Sequence, residues 1–115
     1  MPINVTYEGD VLILSNFARL MNDPRHFDAA RDVRKLLEEG HRKFVLDLRN
    51  LREIGDTSLG LLTTLTRLIR QYEGDVVLAN IRKETMQYLD EMRMDAYWEI
   101  FESNTEVAEY FKGGV

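Results

Sequence analysis

The stretch from Lys43 to Arg70 constrains this fold more than any other. Lys43-Phe44-Val45-Leu46-Asp47-Leu48 is a short run with four apolar residues, the length and make-up of a buried strand. Leu61 or Leu62, Leu65, Leu68 or Ile69, and Tyr72 recur at helical spacing, with Thr63, Thr64, Arg67, Arg70 and Gln71 turned outward. Between them, Leu51-Arg52-Glu53-Ile54-Gly55-Asp56-Thr57-Ser58-Leu59-Gly60 supplies a glycine, an aspartate and two adjacent hydroxyls. That is a strand, a turn and a helix start, with Asp56 as the expected N-cap.

Similar units lie on both sides. Ile3-Asn4-Val5-Thr6-Tyr7 alternates apolar and polar residues, Glu8-Gly9-Asp10 reads as a turn, and Val11-Leu12-Ile13-Leu14 is a more central strand, so the chain opens on a hairpin. Ser15 to Asn22, with Phe17, Leu20 and Met21, reads as a short helical turn or a packed loop. Asp23 is the expected N-cap of a helix with Pro24 in its first position. Phe27, Ala30, Val33 and Leu37 give its buried face, Ala29 and Leu36 lie beside them, and Gly40 ends it. Gly74 is expected to close the helix after Gly60, and Asp75 to Asn80 forms a fourth strand. Lys83 to Met92 is a helix with Met86, Leu89 and Met92 on one face, and Trp98 to Phe101 is a short edge strand. Ser103-Asn104-Thr105-Glu106 has the capping-box spacing and opens a last helix holding Val107, Ala108 and Phe111, before a frayed Gly113-Gly114-Val115 tail. Strands separated by helices pair in parallel. The expectation for residues 1–115 is thus one α/β domain with a mixed, mostly parallel sheet of four to five strands.

Composition narrows the function. With 44% hydrophobic residues in 115, the chain can bury a core, and a net charge of −5 argues against a general binder of nucleic acid or anionic membrane. No cysteine is present, which removes disulfides and thiol chemistry. Met1-Pro2-Ile3-Asn4-Val5 lacks the pattern of a signal peptide, and no window approaches a membrane span, so a cytoplasmic protein is expected. His26 and His41 have no partner at metal-ligand spacing. Gly55 to Gly60 lacks the lysine of a phosphate loop, and Ser58 lacks the flanking glycines of a nucleophile elbow. Asp47, Glu53 and Asp56 are explained by a solvated strand end and a helix cap without a metal. Met86, Met92 and Met94 with Trp98 read as packing. Neither catalysis, cofactor nor metal is expected. Thr57 and Ser58 remain, as hydroxyls at a helix start, where free N–H groups and the helix dipole also favour a phosphate.

In this order of elements the chain resembles the STAS family, the sulfate-transporter and anti-sigma-factor-antagonist domain. Phe44 to Leu51 looks like its third strand and following loop, Asp56-Thr57-Ser58-Leu59-Gly60-Leu61-Leu62 like its Asp-Ser-Ser/Thr-Gly-Leu-Gly helix start, and Gly74 to Asn80 like its fourth strand. Ile100-Phe101-Glu102 and the Ala108 helix resemble its usual end. The resemblance implies four helices packed mainly on one face of the sheet. It also implies an anti-sigma factor antagonist of bacterial stress signalling and transcription control. Unphosphorylated, such a protein binds an anti-sigma factor that is a serine kinase and frees the sigma factor. Phosphorylation ends that binding, and a PP2C-type phosphatase resets it. By carry-over, Thr57 is the expected phosphoacceptor with Ser58 second, and Asp23, Glu53, Gly55, Asp56, Thr57 and Ser58 form the partner-binding set. The alternative implied is a non-switching STAS scaffold in a stress-signalling assembly or beside a membrane transporter. A monomer or weak dimer is expected. Two departures stand out: Leu59 replaces the family's first glycine, and the loop from Ser15 to Asp23 is several residues longer.

Overall fold

The computed structural model describes residues 3–17, 28–51 and 54–113. The helix start at Asp23-Pro24, His26 and Phe27, the loop residues Leu20 and Met21, Glu53, and Gly114-Val115 lie outside that set. In chain order the described residues form β1 (Asn4–Glu8), β2 (Val11–Ser15), α1 (Asp28–Glu38), β3 (Lys43–Asp47), α2 (Asp56–Gln71), β4 (Asp75–Ala79), α3 (Lys83–Glu91), β5 (Ile100–Phe101) and α4 (Asn104–Gly113). The strands make one sheet in the order β1-β2-β3-β4-β5. β1 is antiparallel to β2, and the remaining pairs are parallel.

The topology dictates the layers. Each crossover from β2 to β5 moves one strand over in the same direction. Right-handed connections therefore place all three intervening helices on one face. The core obeys this: Leu12, Leu14, Phe44, Leu46 and Leu78 pack with Val33 and Leu37 of α1, Leu62, Leu65 and Ile69 of α2, and Leu89 of α3. α4 folds back over the opposite face, where Val107 and Phe111 meet Val11, Ile13, Val45 and Val77. Three helices on one face and one on the other match the expected layering. β3 lies between the two cores, which is why its apolar run is unbroken instead of alternating.

Three of the helices, α1, α2 and α3, end by one device. Gly40, at φ 104°, donates its N–H to the Leu37 carbonyl at 3.0 Å, and His41 donates to Leu36 at 3.2 Å. This is the Schellman pattern, in which a left-handed residue lets the chain satisfy the last carbonyls. α2 ends in the same way, but Glu73, not Gly74, takes the positive φ, at 63°. Gly74 is required for a different reason: a Cβ there would stand 2.8 Å from the Ile69 Cγ2 and 3.0 Å from the Arg42 carbonyl oxygen. Arg93 repeats the motif after α3 at φ 57°, with Met94 donating to Leu89 at 2.8 Å.

Several elements differ from the sequence reading. α1 buries Ala29, Val33, Leu36 and Leu37, so Ala29 replaces Ala30 on its inner line. α3 buries Thr85 and Leu89, not a methionine stripe, and Met92 is 48% exposed. A nine-residue helix at the sheet margin buries a single i, i+4 line, and here that line starts at Thr85. The last strand is only two residues long, because Trp98 turns into the core instead of pairing. Its indole N–H donates to the buried Thr66 Oγ1 at 2.8 Å. The capping box is half formed: Ser103 Oγ accepts from the Glu106 N–H at 3.3 Å, while Glu106 Oε2 accepts from Glu102, one residue earlier than the usual pattern, at 2.9 Å. Phe17, at the start of the long loop, is buried in the main core.

The α2 end gives a paired test. Gly74→Ala overpacks against Ile69 and lowers stability by about 1–3 kcal/mol. Glu73→Gly relieves a left-handed non-glycine residue and raises stability by up to about 1 kcal/mol, after glycine's extra unfolded-state entropy is subtracted. Urea unfolding checks both, as opposite shifts in midpoint at an unchanged slope.

Candidate functional site

Asp47, the last residue of β3, is 5% exposed yet keeps its charge partnered. It accepts the Arg49 backbone N–H at 3.1 Å and the Arg49 guanidinium on both oxygens at 3.0–3.2 Å. The sequence suggested a solvated strand end here. The structure shows a buried carboxylate that turns the chain: Leu48 and Leu51, which follow it, are buried, and Leu51 donates to the Leu48 carbonyl at 3.0 Å. Side chain and turn together fix the chain as it leaves β3.

α2 begins one residue earlier than its aspartate suggested. Gly55 is the N-cap, in extended conformation at φ −155° and ψ −164°, and no side chain caps the helix. Asp56 therefore holds the first helical position, Thr57 the second and Ser58 the third. The Asp56 carboxylate turns sideways and accepts the Tyr88 hydroxyl of α3 at 3.1 Å. Partial desolvation, and then that carboxylate, holds the Tyr88 phenol above its ordinary value. Sequence gave no sign of Tyr88, since nothing in the α3 pattern marks a residue reaching 32 positions back.

The two hydroxyls are not equivalent. Asp56 and Thr57 are exposed, whereas Ser58 is 6% exposed. The reason is helical geometry: Ser58 shares an inner line with Leu61, Leu62 and Leu65, and Thr57 lies one step outside it. Leu59, which stands in place of a glycine, is half-buried and packs against the main core, so the larger side chain is absorbed inward. Gly60 has open space around its Cα. Of the six residues expected to form a partner face, Gly55, Asp56, Thr57 and Ser58 are consecutive at this helix start. Asp23 and Glu53 lie outside the described residues.

What the site can do is limited by what it holds. Among the described residues no three His, Asp or Glu side chains are close enough to bind a metal ion. A groove of about 390 Å³ lies elsewhere, on the face covered by α4, between that helix, the Glu8-Gly9-Asp10 turn and Lys43. It opens at the strand ends opposite Thr57, because Val11 and Lys43 begin β2 and β3 whereas α2 follows the end of β3. No described helix is long and apolar enough to cross a membrane. The α2 start therefore offers exposed N–H groups, a carboxylate and an accessible hydroxyl, a surface suited to binding.

Comparison with known proteins places this geometry. The STAS domain family model matches residues 28–107. No curated protein matches the chain. Among solved structures, the crystal structure of a Thermotoga maritima protein provisionally described as an anti-sigma factor antagonist superposes with a TM-score of 0.76. Identity is 21%, over 94% of this chain and 92% of that one. A solution structure of the same Thermotoga protein gives 0.77 at 22% identity, over 91% and 84% of the two chains. A Planctomyces limnophilus protein described as an anti-sigma-factor antagonist STAS domain gives 0.73 at 20% identity, over 91% and 93%. The mixed five-stranded architecture is thus shared with these proteins.

The Asp56–Tyr88 contact carries its own prediction. Asp56→Asn removes the charge and brings the Tyr88 titration part of the way down toward the ordinary tyrosine value of 10, as followed by site-resolved tyrosine ring NMR at alkaline pH. Because the folded-state value is raised, the linked stability is fully present below about 10 and is lost as pH rises through the folded value.

Proposed function

The chain belongs to the STAS domain family, and we propose that within it this protein acts as an anti-sigma factor antagonist switched by phosphorylation at Thr57. In this reading the unphosphorylated α2 start binds an anti-sigma factor that is also a serine kinase, so the sigma factor is released. The protein is a binding module, not a catalyst, and works in the bacterial cytoplasm as one domain. A PP2C-type phosphatase restores it. Gly55, Asp56 and Thr57 form the centre of the partner face, and Ser58, Asp23 and Glu53 complete the set that the family resemblance implies.

One observation supports Thr57 above Ser58: Thr57 is exposed on the first turn, whereas Ser58 is 6% exposed. A kinase must bring the acceptor oxygen in line with the γ-phosphate. An exposed hydroxyl allows that without unfolding, and a buried one does not. A phosphate at Thr57 adds about −1.5 to −2 charges at neutral pH. It would sit beside Asp56 on a helix N-terminus, changing the surface and leaving the packing intact.

Incubation with the cognate kinase and ATP, followed by peptide mass spectrometry, tests the reading. Phosphate is expected on Thr57 in wild type and in Ser58→Ala, and is lost in Thr57→Ala. Phosphate confined to Ser58 contradicts the assignment. Thr57→Asp is expected to weaken kinase binding at least about tenfold, equivalent to about 1.4 kcal/mol. A complex unaffected by Thr57→Asp would instead mark a non-switching scaffold.

A further inference from the structure

The geometry points to a second interaction surface, the outer edge of β1, and to its occupant: the same edge of a second copy of this chain. Among the described residues β1 has a single strand neighbour, β2. The register fixes which backbone groups are left over. Glu8 faces Val11 across the two-residue Gly9-Asp10 turn, with Gly9 at φ 62°, the geometry of a tight II′ hairpin. The closing pair of such a hairpin exchanges both of its hydrogen bonds. Alternation along an antiparallel ladder then directs the N–H and C=O of Glu8, Thr6 and Asn4 toward β2, and those of Tyr7 and Val5 outward.

That outward edge fits itself. An antiparallel copy centred on Thr6 places Val5 opposite Tyr7 of the second copy, Thr6 opposite Thr6, and Asn4 opposite Glu8. The two Val5–Tyr7 pairs are the ones whose free N–H and C=O groups face each other, so both form full hydrogen-bonded pairs. β-Branched residues facing aromatics, and threonine facing threonine, are favourable cross-strand neighbours. No like charges meet. Moving the centre to Val5 or Tyr7 leaves part of the strand without a strand residue opposite. β1 also contains no lysine, proline or bulge, three of the devices that discourage such pairing, and its one charge, Glu8, meets the neutral Asn4. Tyr7 is 56% exposed, one of two large hydrophobic side chains so exposed among the described residues, and it lies on this edge.

A five-residue ladder buries much less than the roughly 1,200–2,000 Å² of a stable interface, so the dimer is weak and concentration-dependent. Its two-fold axis is normal to the sheet. The sheets join into ten strands with both three-helix layers on the same side, and the two Thr57 positions lie at opposite ends. One dimer therefore presents two separate helix starts. The pairing does not depend on phosphorylation at Thr57.

Cysteine trapping tests both the surface and its register, because the chain has no other cysteine. Thr6 is exposed and meets its own copy at a non-hydrogen-bonded pair, where the Cα separation of roughly 4.5 Å is within disulfide reach. Under mild oxidation Thr6→Cys is expected to form a covalent dimer at least ~10-fold faster than Asn4→Cys or Glu8→Cys alone. An equimolar mixture of Asn4→Cys and Glu8→Cys is expected to cross-link as a heterodimer. Wild-type sedimentation coefficients should rise between about 10 μM and 1 mM. Equal, slow cross-linking of all three single variants, with sedimentation unchanged over that range, would overturn the proposal.

Discussion

Phe44, Val45 and Leu46 are fully buried, and they alternate between two cores. Phe44 and Leu46 hold the layer of three helices, and Val45 holds the layer beneath α4. Each layer depends on the other through this strand, because a strand buried on both faces cannot shift by one residue without exchanging both sets of contacts. The register with β2 and β4 is fixed in consequence. So is the position at which β3 ends, and with it the point from which the loop to α2 departs. Asp47 is the next residue in that register, and its contact with Arg49 converts the fixed strand end into a fixed turn. The exposed start of α2 inherits its position from the most buried strand in the molecule.

The same dependence explains why this fold was legible in the sequence. β3 and β4 read as unbroken apolar runs because both of their faces are covered, and β1 alternates because one is not. Helices were visible wherever their buried line was long, as in α2. α3 was legible as a helix, but its inner line was misread beside Leu89: so short a helix buries only Thr85 and Leu89, and Met86 and Met92 have helical spacing without being buried. The residue that reverses the chain was visible where glycine supplies the positive φ, at Gly9 and Gly40, whereas after α2 and α3 the helix ends were read nearby but the positive φ falls on Glu73 and Arg93. Their cost of about 1–2 kcal/mol is met by satisfied helix-end carbonyls, a tertiary return that composition does not reveal.

The candidate site was legible in outline and not in detail. The Asp-Thr-Ser order marks a helix start, but the cap falls on Gly55, because the Asp56 side chain is engaged by Tyr88. The order alone also cannot separate two neighbouring hydroxyls. Their 100° offset around the helix does so, once Leu61 and Leu65 show which direction is inward. Asp47 is a similar case: a carboxylate at a strand end reads as solvated, and only its buried contact with Arg49 shows it to be structural.

These details bear on how a charge could switch binding without switching shape. A phosphate at Thr57 would gain about 0.3–1 kcal/mol from the dipole and free N–H groups at the start of α2. In water it would lose on the order of 1 kcal/mol to repulsion from the neighbouring Asp56 carboxylate. The two nearly cancel, so the fold would be indifferent to the modification while its surface stayed in solvent. A partner that covers the helix start removes the water that screens this repulsion and leaves a dianion in contact with whatever faced a neutral hydroxyl. Like-charge or unpaired contacts of that kind cost several kcal/mol at an interface. The asymmetry needs a site that is rigid and exposed at once. Burial of β3 supplies the first condition, and the outward step from Ser58 to Thr57 supplies the second.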